Sequence, residues 1–380
     1  MGEAQLSGDH LARVRRAGSR ELLSVGVEEE FVLVDARTGR VATRAAEVLA
    51  DAGERDSDLQ AEIVRYQVES ATGVCRTAVE VRDQLARART DLIDLAARHG
   101  ARLVATGTPV LGDSLPVPLT RRPRYHRMSE EYGALTDDLA ICGCHVHVGL
   151  PDDEAKVLVS NHLRPWLPTL LALSANSPYW DERDTGYASW RYVVWGRWPS
   201  AGPPPWLSSP AEYRALRDVI VASGAALDPA MLYWDVRLSA AHPTLELRVC
   251  DVAATVDEAA LIAAVVRALA ATALTSPLPA PAVPQHLLKV ALWRAARDGL
   301  EGLGVDPLSG ALVPAADLVA SLLTAVRPAL EAAGEHELVS DGVDRLLLDG
   351  SGAARQRRAF SRRGRLEDVV GMLVAQTNPL

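Results

Sequence analysis

Three consecutive glutamates, Glu28, Glu29 and Glu30, lie within a segment that otherwise has the composition of a buried β-strand. Their neighbours in residues 24–35 are mainly valine, leucine and phenylalanine, which favour a packed, pleated surface. Because side chains alternate along a strand, Glu28 and Glu30 share one face and Glu29 points to the other. Two carboxylates side by side are suitable oxygen ligands for a divalent cation. A charged end of an edge strand, which would discourage aggregation, explains this segment alone equally well.

Three further segments carry polar residues at alternate positions, with apolar or small residues between them. The three pairs are Gln67 and Glu69, His145 and His147, and Glu246 and Arg248. An antiparallel sheet with one solvated face gives the same alternation, but it would typically include lysine, threonine, serine and aspartate. The residues found here belong to the set that binds divalent metals and phosphates. We therefore expect a sheet whose concave polar face is an active site.

The segment Cys-Gly-Cys-His-Val-His contains residues that bind zinc in other proteins. In a regular strand, Cys142 and Cys144 share one face while His145 and His147 share the other, so the two pairs cannot converge on one ion. We interpret the cysteines as small core residues. The glycines beside the histidines remove side-chain bulk, which suggests close approach of a ligand. Glu29, opposite Glu28 and Glu30, needs a structural partner such as an arginine.

Residues 176–206 have the composition of a loop and contain five of the eight tryptophans. Arginine among aromatic side chains suits recognition of a carboxylate, a phosphate or a purine face. The arginines of this kind are Arg183, Arg191 and Arg197. A large aromatic-stabilised surface loop or a dimer contact would have the same composition. We favour a functional lid or substrate loop, because long irregular segments in compact domains are usually functional.

A basic segment near the C-terminus, residues 351–358, includes Arg355 and could cradle a phosphate. The sequence of this segment favours a simpler interpretation, a basic surface exposed to solvent.

Several strands and helices must position these side chains. Hydrophobic periodicity predicts strands at 24–35, 63–70, 102–106, 139–150 and 244–250. It predicts helices at 79–99, 154–174 and 257–274, and a mainly helical C-terminal part. Residues 1–20 are polar and basic and are predicted to be a mobile segment. No composition shift marks a domain boundary, so residues 21–380 are predicted to form a single domain.

Composition excludes several classes of function. The net charge of −9 argues against a nucleic-acid binder, which would normally present a basic surface. Four scattered cysteines do not make a disulfide framework, and the N-terminus has no apolar run typical of a signal peptide. The most apolar stretch, 259–274, is interrupted by Arg267 and is too short to span a bilayer. The simplest location is the cytoplasm, and no membrane partner is expected. The sequence contains neither a P-loop nor a dinucleotide-binding glycine motif.

Five longer motifs together resemble the carboxylate–amine ligase family, which includes the type 2 glutamate–cysteine ligases. They are Gly-Val-Glu-Glu-Glu-Phe, Cys-Gly-Cys-His-Val-His-Val-Gly, Arg-Asp-Thr-Gly-Tyr-Ala-Ser-Trp-Arg, Trp-Gly-Arg-Trp-Pro and Thr-Leu-Glu-Leu-Arg-Val-Cys-Asp. The resemblance runs from about residue 22 to near the C-terminus.

This resemblance implies an α+β, glutamine-synthetase-like fold: a curved antiparallel sheet with helices packed on its convex face. Its concave face would hold ATP and two or three Mg²⁺ ions, with Mn²⁺ as a possible substitute. The implied reaction forms γ-glutamyl phosphate from ATP and glutamate, and an amine such as cysteine then displaces phosphate to give an amide. Cations would neutralise the transferring phosphoryl group. A homodimer is also implied.

The resemblance assigns roles to individual side chains. The implied metal ligands are Glu28, Glu30, Glu69, His147 and Glu246. Arg248 would lie near the phosphates, and Arg191 would join it in catalysis. His145 would bind substrate or nucleotide, while Arg183, Arg191 and Arg197 are candidates for the glutamate carboxylates or phosphate. Arg355 of the basic C-terminal segment is a further candidate for cofactor phosphate. Two alternatives remain open: a guanidino-kinase-type phosphotransferase on the same scaffold, and a non-catalytic protein that binds ATP or a metabolite.

Overall fold

The computed structural model describes residues 22–53, 57–112 and 115–379. The segment predicted to be mobile, residues 1–20, lies outside this range. The described chain forms an antiparallel sheet of seven strands, two small hairpins and a large set of helices.

The strands are β1 (Val25–Asp35), β2 (Asp58–Ala61), β3 (Gln67–Ala71), β4 (Ala101–Val104), β5 (Gly143–Gly149), β6 (Tyr179–Trp180), β7 (Arg183–Asp184), β8 (Val236–Leu238), β9 (Thr244–Asp251), β10 (Leu303–Val305) and β11 (Leu312–Pro314). The main sheet has the order β2-β3-β1-β5-β9-β8, and β4 also pairs with β1. The two hairpins are β6–β7 and β10–β11.

The register of the main sheet brings the predicted polar pairs into one row. Glu30 lies opposite Glu69 across β1 and β3, and Glu28 lies opposite His145 across β1 and β5. His147 in turn lies opposite Glu246 on β9. Directly opposed residues in a sheet have neighbouring side chains, so four strands contribute to one polar surface.

A β-bulge interrupts the pairing of β5 with β9. Cys144 pairs with Cys250 and Val146 with Leu247, so two residues of β9 lie opposite His145 alone. Arg248 is one of those two residues. Bulges redirect side chains and are common beside active sites. The bulge explains why Arg248 and Cys250, which are two residues apart, do not share a face as they would in a regular strand.

The helices are α1 (Ala45–Ala50), α2 (Ala78–Arg98), α3 (Pro123–Tyr132), α4 (Asp153–Leu163), α5 (Leu167–Ser174), α6 (Trp190–Trp195), α7 (Pro210–Ala222), α8 (Val256–Thr275), α9 (Gln285–Asp298), α10 (Ala315–Ala333), α11 (His336–Asp349), α12 (Gly352–Ser361) and α13 (Leu366–Thr377). Short 3₁₀ turns occupy Gly133–Leu135, Arg164–Trp166 and Pro229–Met231.

Helix α8 is the centre of the core. It begins with Thr255, whose side chain accepts a hydrogen bond from the amide of Glu258 and so caps the first turn. It is apolar on nearly every side and contacts α2, α4, α10, α11 and the strands β1 and β5. By length and composition it could cross a membrane, but 78% of its apolar window is buried inside the protein. Burial within the protein accounts for this composition.

Several predicted elements differ from the structure. The strand expected at 63–70 forms only as β3 from Gln67, and the strand expected at 139–150 begins at Gly143. The single helix expected at 154–174 is divided into α4 and α5 by a 3₁₀ turn containing Pro165, because proline cannot donate the backbone hydrogen bond that a continuous helix needs. Residues 176–206 are not wholly irregular, since they contain the β6–β7 hairpin and helix α6.

Glu29 has the buried partner that the alternation required. Its carboxylate receives two hydrogen bonds from Arg89 of α2, one from Nη2 at 2.5 Å and one from Nε at 3.0 Å. Both side chains are completely buried. Arg89 also donates to the carbonyl oxygens of Ala253 and Ala254, and its guanidinium lies 5.3 Å from the centre of the Phe31 ring. This pair joins β1 to the loop that precedes α8, on the sheet face opposite Glu28 and Glu30.

Candidate active site

Two groups of potential ligand atoms lie on the polar face of the sheet. Glu30, Glu62 and Glu69 form the first group, which we call the acidic cluster. Glu28, His145 and Glu246 form the second, which we call the histidine cluster. Within each group the ligand atoms all lie within 4.8 Å of one another.

Glu62 was missed by the sequence analysis. It lies between β2 and β3, directly after β2. The strand predicted in this region began at residue 63 and so did not include Glu62. A lone glutamate beside a strand carries no alternation signal, so only the path of the chain between β2 and β3 brings it to Glu30 and Glu69. The acidic cluster therefore has three carboxylates where the sequence predicted two.

Two carboxylates of the acidic cluster, Glu30 and Glu69, have raised pKa values. Burial raises the pKa of Glu30 well above its usual range, and the charge of Glu62 raises it further. Burial also raises the pKa of Glu69, again with Glu62 as the next cause and with Glu28 and Glu30 adding to it. Crowded, desolvated carboxylates of this kind are stabilised by a cation.

His145 is held as a neutral imidazole in the histidine cluster. Burial lowers its pKa to about 4, and the nearby charge of Arg248 acts in the same direction. Its Nδ1 lies 3.1 Å from Oε2 of Glu28. If Nδ1 donates that hydrogen bond, Nε2 carries the free lone pair. Burial alone would raise the pKa of Glu28, but hydrogen bonds with His145 and His147 lower it far below its usual range.

His147 occupies the other side of Glu28. Its Nε2 lies 3.2 Å from Oε1 of Glu28, and its Nδ1 lies 2.9 Å from Oγ1 of Thr244. The predicted assignment made His147 a metal ligand and His145 a substrate contact. The geometry instead groups His145, rather than His147, with Glu28 and Glu246.

Glu246 is bound by two arginines. Arg237, which the sequence analysis did not single out, donates from Nε at 2.8 Å and from Nη2 at 3.1 Å, and Arg248 also donates to this carboxylate. Burial would raise the pKa of Glu246, but the charges of Arg248 and Arg237 hold it well below its usual range. Because two guanidinium groups already neutralise Glu246, the histidine cluster fits a cation less well than the acidic cluster does.

Two adjoining cavities open onto these clusters. The outer cavity, of about 210 Å³, is lined by both clusters, by Arg237 and by the loop that ends at His242. The inner cavity, of about 150 Å³, has apolar and aromatic walls that include Tyr125, Trp195 and Tyr233. Glu30, Glu62, His145 and Arg248 line both cavities. Each alone is smaller than the roughly 300–1,000 Å³ typical of sites for drug-sized ligands, but the two adjoin along the four residues that they share.

Three of the described residues that line the inner cavity each have a buried nitrogen atom without a protein partner. Among the described residues, no hydrogen bond is made by the buried Nε atoms of Arg191 and Arg248 or by Nε1 of Trp195, and all three residues line this cavity. A buried donor without a partner costs about 1–3 kcal/mol, so such donors indicate an acceptor that binds there. An anionic group on a substrate satisfies cationic donors of this kind.

Backbone carbonyl oxygens hold the guanidinium of Arg191 in place. It lies in α6, whose first turn is capped by Ser189, and its guanidinium is directed to the carbonyl oxygens of Arg248 and Val249. Asp251 lies 4.0 Å from its Nη1 and is itself bound by Ser177 and Ser189. Only 2% of the Arg191 surface is exposed, so its position depends on the surrounding packing.

Gly143 leaves the space that Arg191 and His145 require. A Cβ atom at this position would overlap Nη2 of Arg191 and would lie 3.0 Å from Nε2 of His145. We therefore expect Gly143→Ala to displace both side chains and to lower kcat/KM of any reaction at this site by about 10²-fold, a loss that a shift of about 1 Å can cause. Steady-state kinetics would measure the effect. Gly371→Ala is a matched control, because a Cβ at Gly371 meets no atom within 4 Å; equal activity of the two variants would contradict this role for Gly143.

The structure does not bring three of the predicted arginines to these clusters. Arg183 is exposed on the β6–β7 hairpin. Arg197 binds the carboxylate of Asp138, with Nη1 at 2.6 Å and Nη2 at 2.8 Å. Arg355 donates to Glu258 at 2.7 Å and lines a different cavity beside the start of α8. Their proposed contact with substrate or phosphate therefore has no support from this geometry.

The cysteines are buried and free, as core residues would be. The expectation that Cys142 and Cys144 share a face is wrong, because β5 begins only at Gly143. Sγ of Cys142 lies 3.2 Å from Nε2 of Gln67, whereas Cys144 packs with Val146 and Cys250 on the helix-covered face.

Solved structures identify the class of this fold. A glutamate–cysteine ligase from Francisella tularensis, crystallised in complex with AMP, matches with a TM-score of 0.70 at 12% identity, covering 95% of this chain and 90% of that one. A bifunctional glutathione synthetase from Pasteurella multocida matches with a TM-score of 0.69 at 16% identity, covering 98% of this chain and 54% of that one. The fold is therefore the α+β, glutamine-synthetase-like fold, which confirms the predicted class.

Sequence comparison defines the family. The profile described as "Glutamate-cysteine ligase family 2(GCS2)" matches residues 24–371. A protein of Mycobacterium sp. (strain KMS) named "Putative glutamate--cysteine ligase 2-2" is 47% identical over 360 residues, covering 93% of this chain and 98% of the relative. A relative from Nocardia farcinica, named "Putative glutamate--cysteine ligase 2-1", is 47% identical over 359 residues, covering 93% of each chain. The chain belongs to the glutamate–cysteine ligase family 2, as its motifs predicted.

Proposed function

We propose that this protein is an ATP- and Mg²⁺-dependent ligase that activates the γ-carboxylate of glutamate as an acyl phosphate and joins it to an amine. Cysteine is the first acceptor to consider, because the family and the relatives are named for it. The observation that carries the proposal is the acidic cluster beside a cavity with unpartnered cationic donors. Such a site offers cation ligands and anion-binding groups within one small space.

The acidic cluster fits Mg²⁺ by its chemistry. Its ligand atoms are all carboxylate oxygens, which Mg²⁺ prefers. Burial and the neighbouring carboxylates raise the pKa values of Glu30 and Glu69, and a bound cation would offset that repulsion. Glu30, Glu62 and Glu69 would hold this ion, and Glu28, His145 and Glu246 are the candidates for a second one, for which Mn²⁺ also suits the imidazole. When bound, such ions neutralise the phosphate oxygens during phosphoryl transfer.

The protein's own groups would bind and orient the reactants. Arg248 lines both cavities and Arg191 lines the inner one, so both carry positive charge where an acyl phosphate would need donors. Trp195 and Tyr233 contact one another with ring centres 4.3 Å apart and planes tilted by 41°, and both line the inner cavity. Limited access of water at this point would protect an acyl phosphate from hydrolysis before the amine arrives.

Mg²⁺ binding is expected to depend on pH with a defined sign. Because the pKa values of Glu30 and Glu69 are raised without metal, these groups hold protons that a cation must displace. The apparent affinity for Mg²⁺ should therefore increase from pH 6.5 to pH 8.5, with release of protons. Calorimetric titration in two buffers of different ionisation enthalpy would measure this release. A Glu69→Gln variant should release fewer protons, and pH-independent binding without proton release would contradict the assignment.

The proposed reaction can be tested with purified protein, Mg-ATP, L-glutamate and a panel of amines that includes L-cysteine. We expect glutamate-dependent ADP and a new γ-glutamyl amide, detected by mass spectrometry. A stable phosphorylated product without amide would favour the phosphotransferase alternative. ATP binding without turnover for any acceptor would favour a non-catalytic role. A cytoplasmic location and a homodimer remain predictions from the resemblance, and light scattering would test the latter.

A further inference from the structure

Asp251 connects strand β9 to the start of helix α6. It is the last residue of β9, the strand that also carries Arg248, and its side chain is completely buried. Its Oδ2 accepts hydrogen bonds from the hydroxyl of Ser177 at 2.6 Å and from the amide of Asn176 at 2.9 Å. Its Oδ1 accepts a third, from the hydroxyl of Ser189 at 2.8 Å. This carboxylate belongs to neither the acidic nor the histidine cluster.

The two serine hydroxyls link Asp251 to the backbone of α6. Oγ of Ser177 accepts a hydrogen bond from the amide of Arg191 at 3.1 Å, and Oγ of Ser189 accepts one from the amide of Tyr192 at 3.3 Å. A hydroxyl has one proton to donate, and both serines donate theirs to Asp251, so their lone pairs remain for these two amides. The carboxylate therefore fixes the orientation of the first turn of α6.

Asp251 also provides a negative charge close to Arg191. Its Oδ1 lies 4.0 Å from Nη1 of Arg191, and among the described residues no other carboxylate lies within that distance of this guanidinium. The two groups make no hydrogen bond with one another, so their interaction is electrostatic. Because both side chains are buried, solvent and salt screen it only weakly. Without Asp251, a buried cation would be left with backbone carbonyl oxygens as partners.

The surrounding packing confines this carboxylate. A Cβ atom at Gly107 would lie 2.9 Å from the carboxyl carbon of Asp251 and 2.9 Å from Cβ of Ser177. The backbone of Gly107 is itself held, because its amide donates to the carbonyl oxygen of Asn176 at 3.0 Å and its carbonyl accepts from the amide of Cys142 at 2.9 Å. Close packing of this kind leaves Asp251 a single position.

Helix α6 in turn presents Arg191 to the inner cavity. We propose that Asp251 is a positioning residue: through Ser177 and Ser189 it fixes the start of α6, and it thereby holds Arg191 where an anionic group of a reactant binds. This role rests on the proposed function only for the identity of that reactant, which would be glutamate or its acyl phosphate.

Kinetics distinguish a positioning role from a merely structural one. Asp251→Asn keeps the shape of the side chain but removes its charge and converts one acceptor into a donor. In this variant kcat/KM for glutamate-dependent ADP formation should fall by about 10²-fold, as a shift of about 1 Å in a binding group can cause. In an Arg191→Met background, the same substitution should change kcat/KM by less than about twofold, because no guanidinium remains to be positioned. Equal losses in the two backgrounds would overturn the proposal.

Asn161→Ala is the control for lost stability. Asn161 is buried, and its side chain makes two hydrogen bonds with the backbone of Leu207, outside both cavities. This variant should unfold at a lower urea concentration and keep the kcat/KM of the natural protein. If Asp251→Asn fails to fold, Ser177→Ala removes one of the two hydroxyls instead. It should lower kcat/KM about fivefold, the usual effect of one lost hydrogen bond, and only when Arg191 is present.

Solvent exchange of the buried Nε–H of Arg191 provides a measurement that does not depend on turnover. In protein labelled with ¹⁵N-arginine, the NMR signal of this group is identified by its absence from Arg191→Met. Its exchange with water should be at least about tenfold faster in Asp251→Asn than in the natural protein, and unchanged in Asn161→Ala. Absence of glutamate-dependent ADP formation by the natural protein with every amine would refute the proposed function, and the exchange rates would still decide the role of Asp251. Unchanged exchange in Asp251→Asn would refute that role.

Discussion

Glu30→Gln is expected to lower the rate of glutamate-dependent ADP formation by about 10²–10³-fold, the range found when one electrostatic contact to a transition state is removed. Glu30 lines both cavities and belongs to the acidic cluster. Its Oε2 also accepts a hydrogen bond from the amide of Gly143 at 2.6 Å, which fixes the carboxylate beside β5. Glutamine keeps the shape but removes the charge that would hold Mg²⁺. A coupled assay for ADP at saturating Mg-ATP and glutamate would measure the loss.

The control for this variant is Glu47→Gln, because Glu47 is exposed on α1. It should retain full activity. Thermal unfolding of Glu30→Gln without metal should be no earlier than that of the natural protein, since the substitution removes a desolvated and repelled carboxylate. If Glu30→Gln kept more than a tenth of the activity, the acidic cluster would not be the catalytic metal site.

Glu29→Gln, one residue away, is expected to lower the stability of the protein and to leave its activity unchanged. The Glu29–Arg89 pair is completely buried, so loss of the carboxylate leaves an uncompensated charge and should lower the free energy of unfolding by about 3–5 kcal/mol. The folded fraction should keep its activity, because Glu29 faces away from the clusters. Urea denaturation followed by circular dichroism would measure the stability.

A paired substitution separates the charge from the packing at this position. In Glu29→Leu combined with Arg89→Met, both charges are absent, and most of the lost stability should return, since apolar replacement of a whole buried pair is often neutral. A loss below about 1 kcal/mol for Glu29→Gln, or a selective loss of Mg²⁺ affinity, would mean that Glu29 does not act as a structural ion pair.

Alternation was sufficient to predict the faces of β1. It separated Glu28 and Glu30 from Glu29 and required a buried partner for Glu29. It did not identify Arg89, because that contact spans 60 residues and depends on how α2 packs against the sheet. Periodicity records which side of an element is buried, but it contains no information on which distant element covers it.

The differences between the predicted and the observed site residues have a common cause, which is that the sequence patterns used are local. Glu62 lies outside any alternating strand, and Arg237 lies on the three-residue strand β8, which is too short to show periodicity. Arg183 and Arg197 were predicted from their place among aromatic residues and from the family resemblance, but arginine among aromatics is typical both of ligand sites and of surface ion pairs. Here Trp195 and Trp198 pack in a local core with Tyr233, while Arg197 binds Asp138.

The central claim is that the γ-carboxylate of glutamate becomes an acyl phosphate at this site, and isotope transfer tests it most directly. L-glutamate labelled with ¹⁸O in its γ-carboxylate would be incubated with the protein, Mg-ATP and the best acceptor amine. When that carboxylate attacks the terminal phosphate of ATP and the amine then displaces phosphate, one ¹⁸O atom passes to inorganic phosphate. We predict one labelled oxygen in the released phosphate for each γ-glutamyl amide formed, and release of labelled phosphate by Glu30→Gln that is slower by about 10²–10³-fold. Amide formation with unlabelled phosphate, or release of labelled phosphate by Glu30→Gln at the natural rate, would contradict the account.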